Sequence, residues 1–489
     1  MMTLIGFLSR YAEEQPDTYL AADSLGVSIT YSKAWSRVRK AATALNLQWH
    51  LAKKDCVMAQ CNQSVDYLVL YLACVLAGCI FVPVDKQASV ERINMIAEET
   101  ESKLFIVPDK TKMYSDLPVA DFTEILSYDG QTIGFPFPDP DDISEILYTT
   151  GTTGRSKGII ITNRANIALA ENVKFGVSMQ KNNVELIPLT MSHSHGLRTF
   201  YANLLNGSTV VLTNGVMNVK QVFQLMEQFK VTSLDLSPSA AQFLIRLAKD
   251  VFWQYAKKLD YIEIGTAHLP EELKSELADN LSGVHLYNFY GSTESGRVCA
   301  LDFSIHRDKK KCIGIPSRNA EIIFTDDDRK PVPATLEAPG LLASRGPMNM
   351  TGYWKNEDLT QKVLINGYVC TNDIGYIDDE GYVYVLGRKD DVINFNGTKI
   401  SPVEVEEAAM LYEGVSEAAC VGKPDTVAGQ VPRLFIVPKD KNAFNVNEFT
   451  RFLGGHIDKN KMPKNIFLLD ELPKTFNGKL NRKELSTLD

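Results

Sequence analysis

No CxxC pair and no histidine-rich metal spacing occurs among the eight cysteines of this 489-residue chain, Cys56, Cys61, Cys74, Cys79, Cys299, Cys312, Cys370 and Cys420. A local zinc framework is therefore not expected. Several of these residues, such as Cys74 and Cys79, stand in apolar runs where buried free thiols are the natural reading, and a reducing cytoplasmic setting fits. A long basic block is missing too. The net charge is −9, and the most basic stretch, Arg307-Asp308-Lys309-Lys310-Lys311, is a short solvated run. No nucleic-acid partner is expected. Nor is a membrane. The apolar run from Tyr67 to Val84 approaches bilayer length but splits at Gly78 into a helix over Val65 to Ala77 and a strand over Cys79 to Val84. The N-terminus starts an amphipathic helix with no basic residue ahead of its apolar ones and no small-residue cleavage pattern, so no targeting segment is expected. Internal repeats and low-complexity segments are absent as well.

What is present is an ordinary globular composition, 45% hydrophobic and 23% charged, on a chain too long for one core. Over the first three-quarters, strand-like and helix-like runs alternate. Cys56 to Gln60, Ile80 to Val84 and Leu104 to Val107 read as strands, with helices over Ser64 to Ala77 and Val90 to Thr100 between them. That alternation predicts an α/β fold of parallel sheets covered by helices. Prolines at 316, 331, 333 and 339 break the segment from Asp302 to Gly352 into short strands of a β-rich subdomain. After Gly387-Arg388-Lys389-Asp390-Asp391 the pattern restarts as about a hundred residues of compact α+β. The expected division is a large domain over 1–388 and a small one over 389–489.

The densest signal is Tyr148-Thr149-Thr150-Gly151-Thr152-Thr153-Gly154-Arg155-Ser156-Lys157-Gly158, set between the β-rich runs Ile143 to Leu147 and Ile159 to Ile161. Glycines let backbone N–H groups approach phosphate oxygens, hydroxyls add hydrogen bonds, and a lysine adds charge. The phosphate loop GxxxxGK[ST] is excluded by spacing, since Arg155 follows Gly154 and Gly158 follows Lys157. By itself the stretch is either a different nucleotide loop or a flexible Gly/Thr hairpin. Other segments are equally bland alone. Tyr290-Gly291-Ser292-Thr293-Glu294 could be a turn with a capping threonine, Lys389-Asp390-Asp391 a charged turn, and Lys479 a solvated loop lysine.

Together, and in this order, they resemble the adenylate-forming superfamily: acyl-CoA and aryl-CoA ligases, nonribosomal peptide synthetase adenylation domains and luciferases. The resemblance runs from about residue 20 to the last ten residues. It implies that Thr149, Thr150, Gly151, Thr152, Thr153, Gly154 and Lys157 grip the ATP phosphates. Asn288, Tyr290, Gly291 and Ser292 would border the nucleotide, with Tyr290 stacked on adenine. Thr293 would contact the α-phosphate and Glu294 hold Mg²⁺, a hard cation suited to carboxylate and phosphate oxygens. The turn Gly265-Thr266-Ala267-His268-Leu269-Pro270, with His268 where the family has proline, would wall the adenine. Tyr368-Val369-Cys370-Thr371-Asn372-Asp373 matches an aromatic-x-x-Thr-Gly-Asp pattern except for Asn372, which tolerates left-handed angles better than other non-glycine residues. Asp373 would bind both ribose hydroxyls, Arg388 would be a second ribose contact, and Asp390 the hinge of a mobile C-terminal domain. Leu472-Pro473-Lys474-Thr475-Phe476-Asn477-Gly478-Lys479 implies that Lys479 reaches the substrate carboxylate and α-phosphate.

The resemblance also implies the reaction: a carboxylate attacks Mg·ATP to give an acyl-adenylate and pyrophosphate, and a thiol then displaces AMP. In Pro188-Leu189-Thr190-Met191-Ser192-His193-Ser194-His195-Gly196-Leu197, His193 would gate the carboxylate. Ser194 replaces the aspartate that amino-acid-activating domains use for the α-ammonium, so an ordinary α-amino acid is disfavoured. Gly265 and Phe289 are also expected in the acid pocket. Arg198 could meet a second carboxylate and Asp235 an amine or hydroxyl, or the two could pair with each other or with backbone. A small or polar carboxylic acid is expected, because a long fatty chain would be ill-matched to a buried charge. The thiol is CoA or the phosphopantetheine of a separate carrier protein. No carrier is fused, for Ile457 stands in Leu453-Gly454-Gly455-His456-Ile457 where its serine would be. A luciferase-like oxygenase and a non-catalytic homologue are the rival readings.

Overall fold

The computed structural model describes residues 1–110, 117–150, 156–396, 398–425, 428–474 and 480–488. The chain forms two compact units. The first comprises Met1–Leu269, Leu273–Ile322 and Ala343–Cys370, and the second Pro270–Glu272, Ile323–Leu342 and Thr371–Asp489.

The first unit contains two sheets. One runs, edge to edge, Gly352–Tyr353, Ser156–Thr162, Ile143–Thr150, Ile80–Val84, Cys56–Gln60, Leu104–Val107, Val119–Asp121. Its strands Cys56–Gln60, Ile80–Val84 and Leu104–Val107 are parallel and buried along their whole length, as strands covered on both faces must be. The covering helix Val65–Leu76 is buried at every position but Asp66, and Ser64 caps it by accepting from the Tyr67 N–H. The apparent membrane-length run is thus a core helix and a core strand. The described residues include no helix long and apolar enough to cross a membrane.

The other sheet continues through Gly296–Asp302, His285–Ser292, Tyr261–Ile264, Ser233–Leu236, Val184–Ile187, Thr209–Leu212 and Tyr19–Asp23. From Tyr19–Asp23 to His285–Ser292 the neighbours are parallel, and Gly296–Asp302 turns antiparallel. A single apolar cluster unites both sheets with the helices they share, including Phe81, Ile161, Leu70, Phe200 and Leu212. The expected α/β class therefore holds.

In the second unit, Val415–Asp425 and Gly429–Pro438 form a long antiparallel hairpin, with Asn465–Leu468 parallel to the latter. Helices Pro402–Met410 and Val446–Leu453 close a core of Val405, Ala409, Cys420, Leu434, Ile436 and Phe449. The hairpin pairs as far as Asp425 with Gly429, so both strands outrun their apolar segments. All eight cysteines are free and buried.

Candidate active site

The strands Ile143–Thr150 and Ser156–Thr162 pair with Thr149 opposite Lys157 and Thr150 opposite Ser156. Gly151, Thr152, Thr153, Gly154 and Arg155 lie outside the described residues. The stem is braced from outside: Arg92 donates to the Ser156 hydroxyl (2.5 Å), and the Tyr148 hydroxyl donates to Glu99 (2.9 Å). Lys157 Nζ stands 5.3 Å from the centre of the Tyr353 ring, within cation–π range. The Tyr353 hydroxyl in turn donates to Glu294 Oε1 (2.9 Å). Burial, then the Glu294 charge, pushes the Tyr353 phenol well up, which keeps it a donor. Lysine, phenol and carboxylate are thus linked through Tyr353, a connection that neither motif contains alone.

Glu294 is presented by the hairpin His285–Ser292/Gly296–Asp302. A register shift falls between Tyr290 and Gly291, where a Cβ on Gly291 would lie 1.8 Å from the Gly296 carbonyl oxygen. Beyond it, Ser292 and Ser295 exchange backbone-to-hydroxyl hydrogen bonds of 3.2 and 3.1 Å. Arg198 donates to the carbonyls of Ser292 and Thr293, each at 2.9 Å. Its guanidinium is buried and held down to about 10 by desolvation and then by Arg297. Arg198 therefore clamps this loop by its backbone. The Thr293 hydroxyl lies 3.1 Å from that of Ser194. Asn288 is buried, whereas Phe289 packs in an apolar cluster with Val173, Val177 and Tyr261, the Arg297 guanidinium 4.6 Å from its ring centre. Gly291→Ala is expected to distort the loop and cost about 1–3 kcal/mol, seen as a lower melting temperature together with lost ATP binding.

The helix Ser194–Asn206 brings three further groups to the site. His193, its N-cap, has Nε2 at 3.6 Å from Asp85 Oδ2. Burial alone would raise Asp85, but hydrogen bonds from His193, the Gln87 backbone and Ser192 outweigh it and hold the carboxyl at about 2. Two residues on, His195 Nε2 is 2.9 Å from Asp235 Oδ1. The other Asp235 oxygen and Glu263 Oε1 both lie 2.8 Å from the Thr199 hydroxyl, and Arg297 contacts Glu263 (2.7 Å) and Thr199 (2.8 Å). A hydroxyl has one proton for two carboxyls, so the second contact requires a proton on an acid. Burial pushes Asp235 up to about 7. His195, Asp235 and Glu263 bring ligating atoms within 4.8 Å of one another. The buried cation beside them is Arg297.

Of the alternatives for Arg198 and Asp235, Arg198 thus takes backbone carbonyls, whereas Asp235 meets His195 and Thr199, and the two do not bond to each other. His195, Thr199, Glu263 and Arg297 were not singled out. The signal available for them was polar residues interrupting apolar runs, as Glu263 does in Tyr261–Ile264. Gly265 closes that strand, and a Cβ there would lie 2.4 Å from His195 Cε1. Thr266 follows in the left-handed region at φ 77°, a strained conformation for a β-branched residue. It is exposed, as are Ala267 and His268.

In the second unit, Asp373 pairs across the sheet with Arg388, whose Nε is 3.6 Å from Asp373 Oδ1. Asn372 lies within the strand Tyr368–Ile377, so its left-handed tolerance is not called upon. Its side chain instead donates to Asp390 (2.9 Å) and accepts from Arg329 (2.8 Å). Lys479 lies outside the described residues.

The fold and its motifs define an adenylate-forming enzyme. The chain belongs to the AMP-binding enzyme family: that family matches residues 8–354, and the AMP-binding enzyme C-terminal domain matches 404–479. Among curated relatives it is 28% identical to a 2-succinylbenzoate–CoA ligase of Bacillus cytotoxicus, over 97% of this chain and 94% of the relative. It is 26% identical to 4-coumarate–CoA ligase-like 6 of Arabidopsis thaliana, over 96% and 88% respectively. Among solved structures, ATP-bound MatB from Rhodopseudomonas palustris shares the fold at a TM-score of 0.90 and 23% identity, with 99% of each chain covered. The o-succinylbenzoate CoA synthetase of Bacillus subtilis bound to its acyl-adenylate does so at 0.89 and 23%, over 99% of this chain and 98% of that one.

Proposed function

We propose that this protein is an AMP-forming ligase that activates a small or polar carboxylic acid with ATP and transfers the acyl group to CoA. One observation carries the reading: Tyr353 links Lys157 to Glu294, next to the Thr293 whose carbonyl Arg198 clamps, so a cation suited to phosphate and a carboxylate suited to a metal are joined by one chain of contacts. The CoA ligases among the relatives support CoA as the acceptor.

In the first half-reaction an oxygen of the acid attacks the α-phosphorus and pyrophosphate leaves. In the second the CoA thiol attacks the acyl carbon, AMP leaves, and the thiol proton passes to solvent. Glu294 fits Mg²⁺ by the chemistry of a carboxylate, whose second oxygen is not the one bonded to Tyr353. Bound there, the ion would neutralise phosphate charge. Lys157 and the hairpin hydroxyls of Thr149 and Thr150 hold the triphosphate, and Thr293 fixes the α-phosphate. Arg198 keeps that loop rigid, so its groups need no reorganisation when charge develops. Asp373 and Arg388 take the ribose, Tyr290 and the turn Thr266–Ala267 the adenine. Asp85 orients His193 at the carboxylate. Lys479 meets the attacking oxygen, and residues 389–489 move about Asp390 between the two steps.

The test is ATP–pyrophosphate exchange over a panel of carboxylic acids, followed by trapping of product on CoA or on protein. Acid-dependent exchange and an acyl-CoA are expected. No exchange with any acid would make the protein a non-catalytic homologue. Label on protein alone would assign a carrier acceptor, and light or oxygen uptake an oxygenase.

A further inference from the structure

We infer that His195 forms the floor of the acid pocket and sets how long, and how apolar, an acid the enzyme accepts. The inference rests on the reading above, in which Ser194 and Gly265 border the acid. The imidazole lies in the space a side chain at 265 would fill: a Cβ there would meet Cε1 at 2.4 Å and Nδ1 at 3.1 Å. Gly265 is therefore the residue that admits the ring, and the ring closes the gap between the helix Ser194–Asn206 and the end of the strand Tyr261–Ile264.

The ring is also fixed. Its Nε2 is bonded to Asp235, which is fully buried, while 14% of the histidine side chain remains accessible. His195 thus stands between a buried carboxylate and the open side. Swinging it away would take one of its hydrogen-bond partners from a fully buried carboxylate, which is costly. Asp235 is itself braced by Thr199, and Thr199 by Arg297. A flexible side chain at 195 could yield to a longer substrate; an imidazole anchored at depth cannot. Its polar ring atoms also end the pocket in a surface to which an apolar chain terminus is poorly matched. The charges expected to select the substrate directly, Arg198 and Asp235, act one layer back: the first fixes the Thr293 loop, the second fixes His195.

The experiment compares kcat/KM across straight-chain acids from acetate to decanoate, alongside dicarboxylates of similar length, in wild type, His195→Ala, His195→Phe and the double variant H195A/D235N. His195→Ala is expected to move the preferred length upward, with gains of about tenfold or more for each newly admitted methylene, and with KM for ATP unchanged. His195→Phe should restore the length limit but lose preference for the dicarboxylates. The double variant removes the stranded carboxylate, so it reports the length shift even if His195→Ala folds poorly. An unchanged length profile in a variant that still exchanges pyrophosphate overturns the floor and leaves the proposed function standing. Absence of exchange by wild type with every acid overturns both.

Discussion

Lys479→Ala is expected to lower acid-dependent ATP–pyrophosphate exchange by about 10²–10³-fold, while CoA-thioester formation from pre-made acyl-adenylate falls far less. The reacting partners of the first step are both anions, and a lysine at the attacking oxygen offsets repulsion that grows toward the transition state. In the second step the nucleophile is a thiol and the leaving group AMP, so the same cation has less to stabilise. The residues on either side of Lys479 make the contrast interpretable. Lys474 and Leu480 pair antiparallel, and the Asn481 N–H donates to the Pro473 carbonyl at 2.8 Å. Lys474 reaches Glu417 at 2.9 Å. Arg482 grips Glu406 and donates to the Cys420 carbonyl at 2.7 Å. The chain on both sides is therefore anchored to the same small body by these flanking residues, and the alanine variant is expected to melt as wild type does. Equal losses in both half-reactions would assign the lysine to general ATP binding and remove it from the adenylation step.

Legibility from sequence followed the range of the interaction. Elements whose cause is local were readable: the helix over 65–76 from its continuous apolar face and Ser64 cap, the strand Ile80–Val84 after Gly78, and the hairpin flanking the glycine-threonine loop. The order of the motifs along the chain was readable as well, and it pointed to the family that matches residues 8–354 and 404–479. Long-range polar pairing was not. Nothing near Arg198 in the chain announces that it will take two carbonyls 94 and 95 residues away, and His195 meets Asp235 across 40 residues. A charge inside an apolar run signals only that some partner exists, because burial without one is prohibitive. Which partner it finds depends on how the strands are ordered. Asn372 makes the same point at closer range. Its tolerance of a left-handed turn was the natural guess, but its side chain is used for its two polar ends, on Asp390 and Arg329.

Arg297→Met is expected to destabilise the first unit by about 3–5 kcal/mol, and by an amount that depends on pH. The guanidinium is the cation among three buried carboxyls, Glu185, Asp235 and Glu263. Each of the three is raised: Asp235 to about 7 by burial, Glu263 by burial against the pull of Arg297, and Glu185 by burial and then by its two acidic neighbours. A carboxyl raised in the folded state holds a proton that the unfolded chain has released. Its contribution is thus fully present below the ordinary carboxylate range and is lost as pH rises through the folded value, near 7 for Asp235. Removing Arg297 takes away the attraction that opposes these shifts, so the carboxyls move further up and the loss extends to higher pH. The deficit in melting temperature relative to wild type should accordingly be small at about pH 5 and large at about pH 8. Asp85, drawn down to about 2, gives the opposite dependence, but equally in both proteins, so it cancels in the difference. Adding Glu263→Gln to Arg297→Met replaces the stranded acid by a neutral amide and should recover much of the deficit at pH 8 but little at pH 5. A deficit independent of pH would mean that Arg297 stabilises the unit by packing on Phe289 rather than by holding charge in its interior.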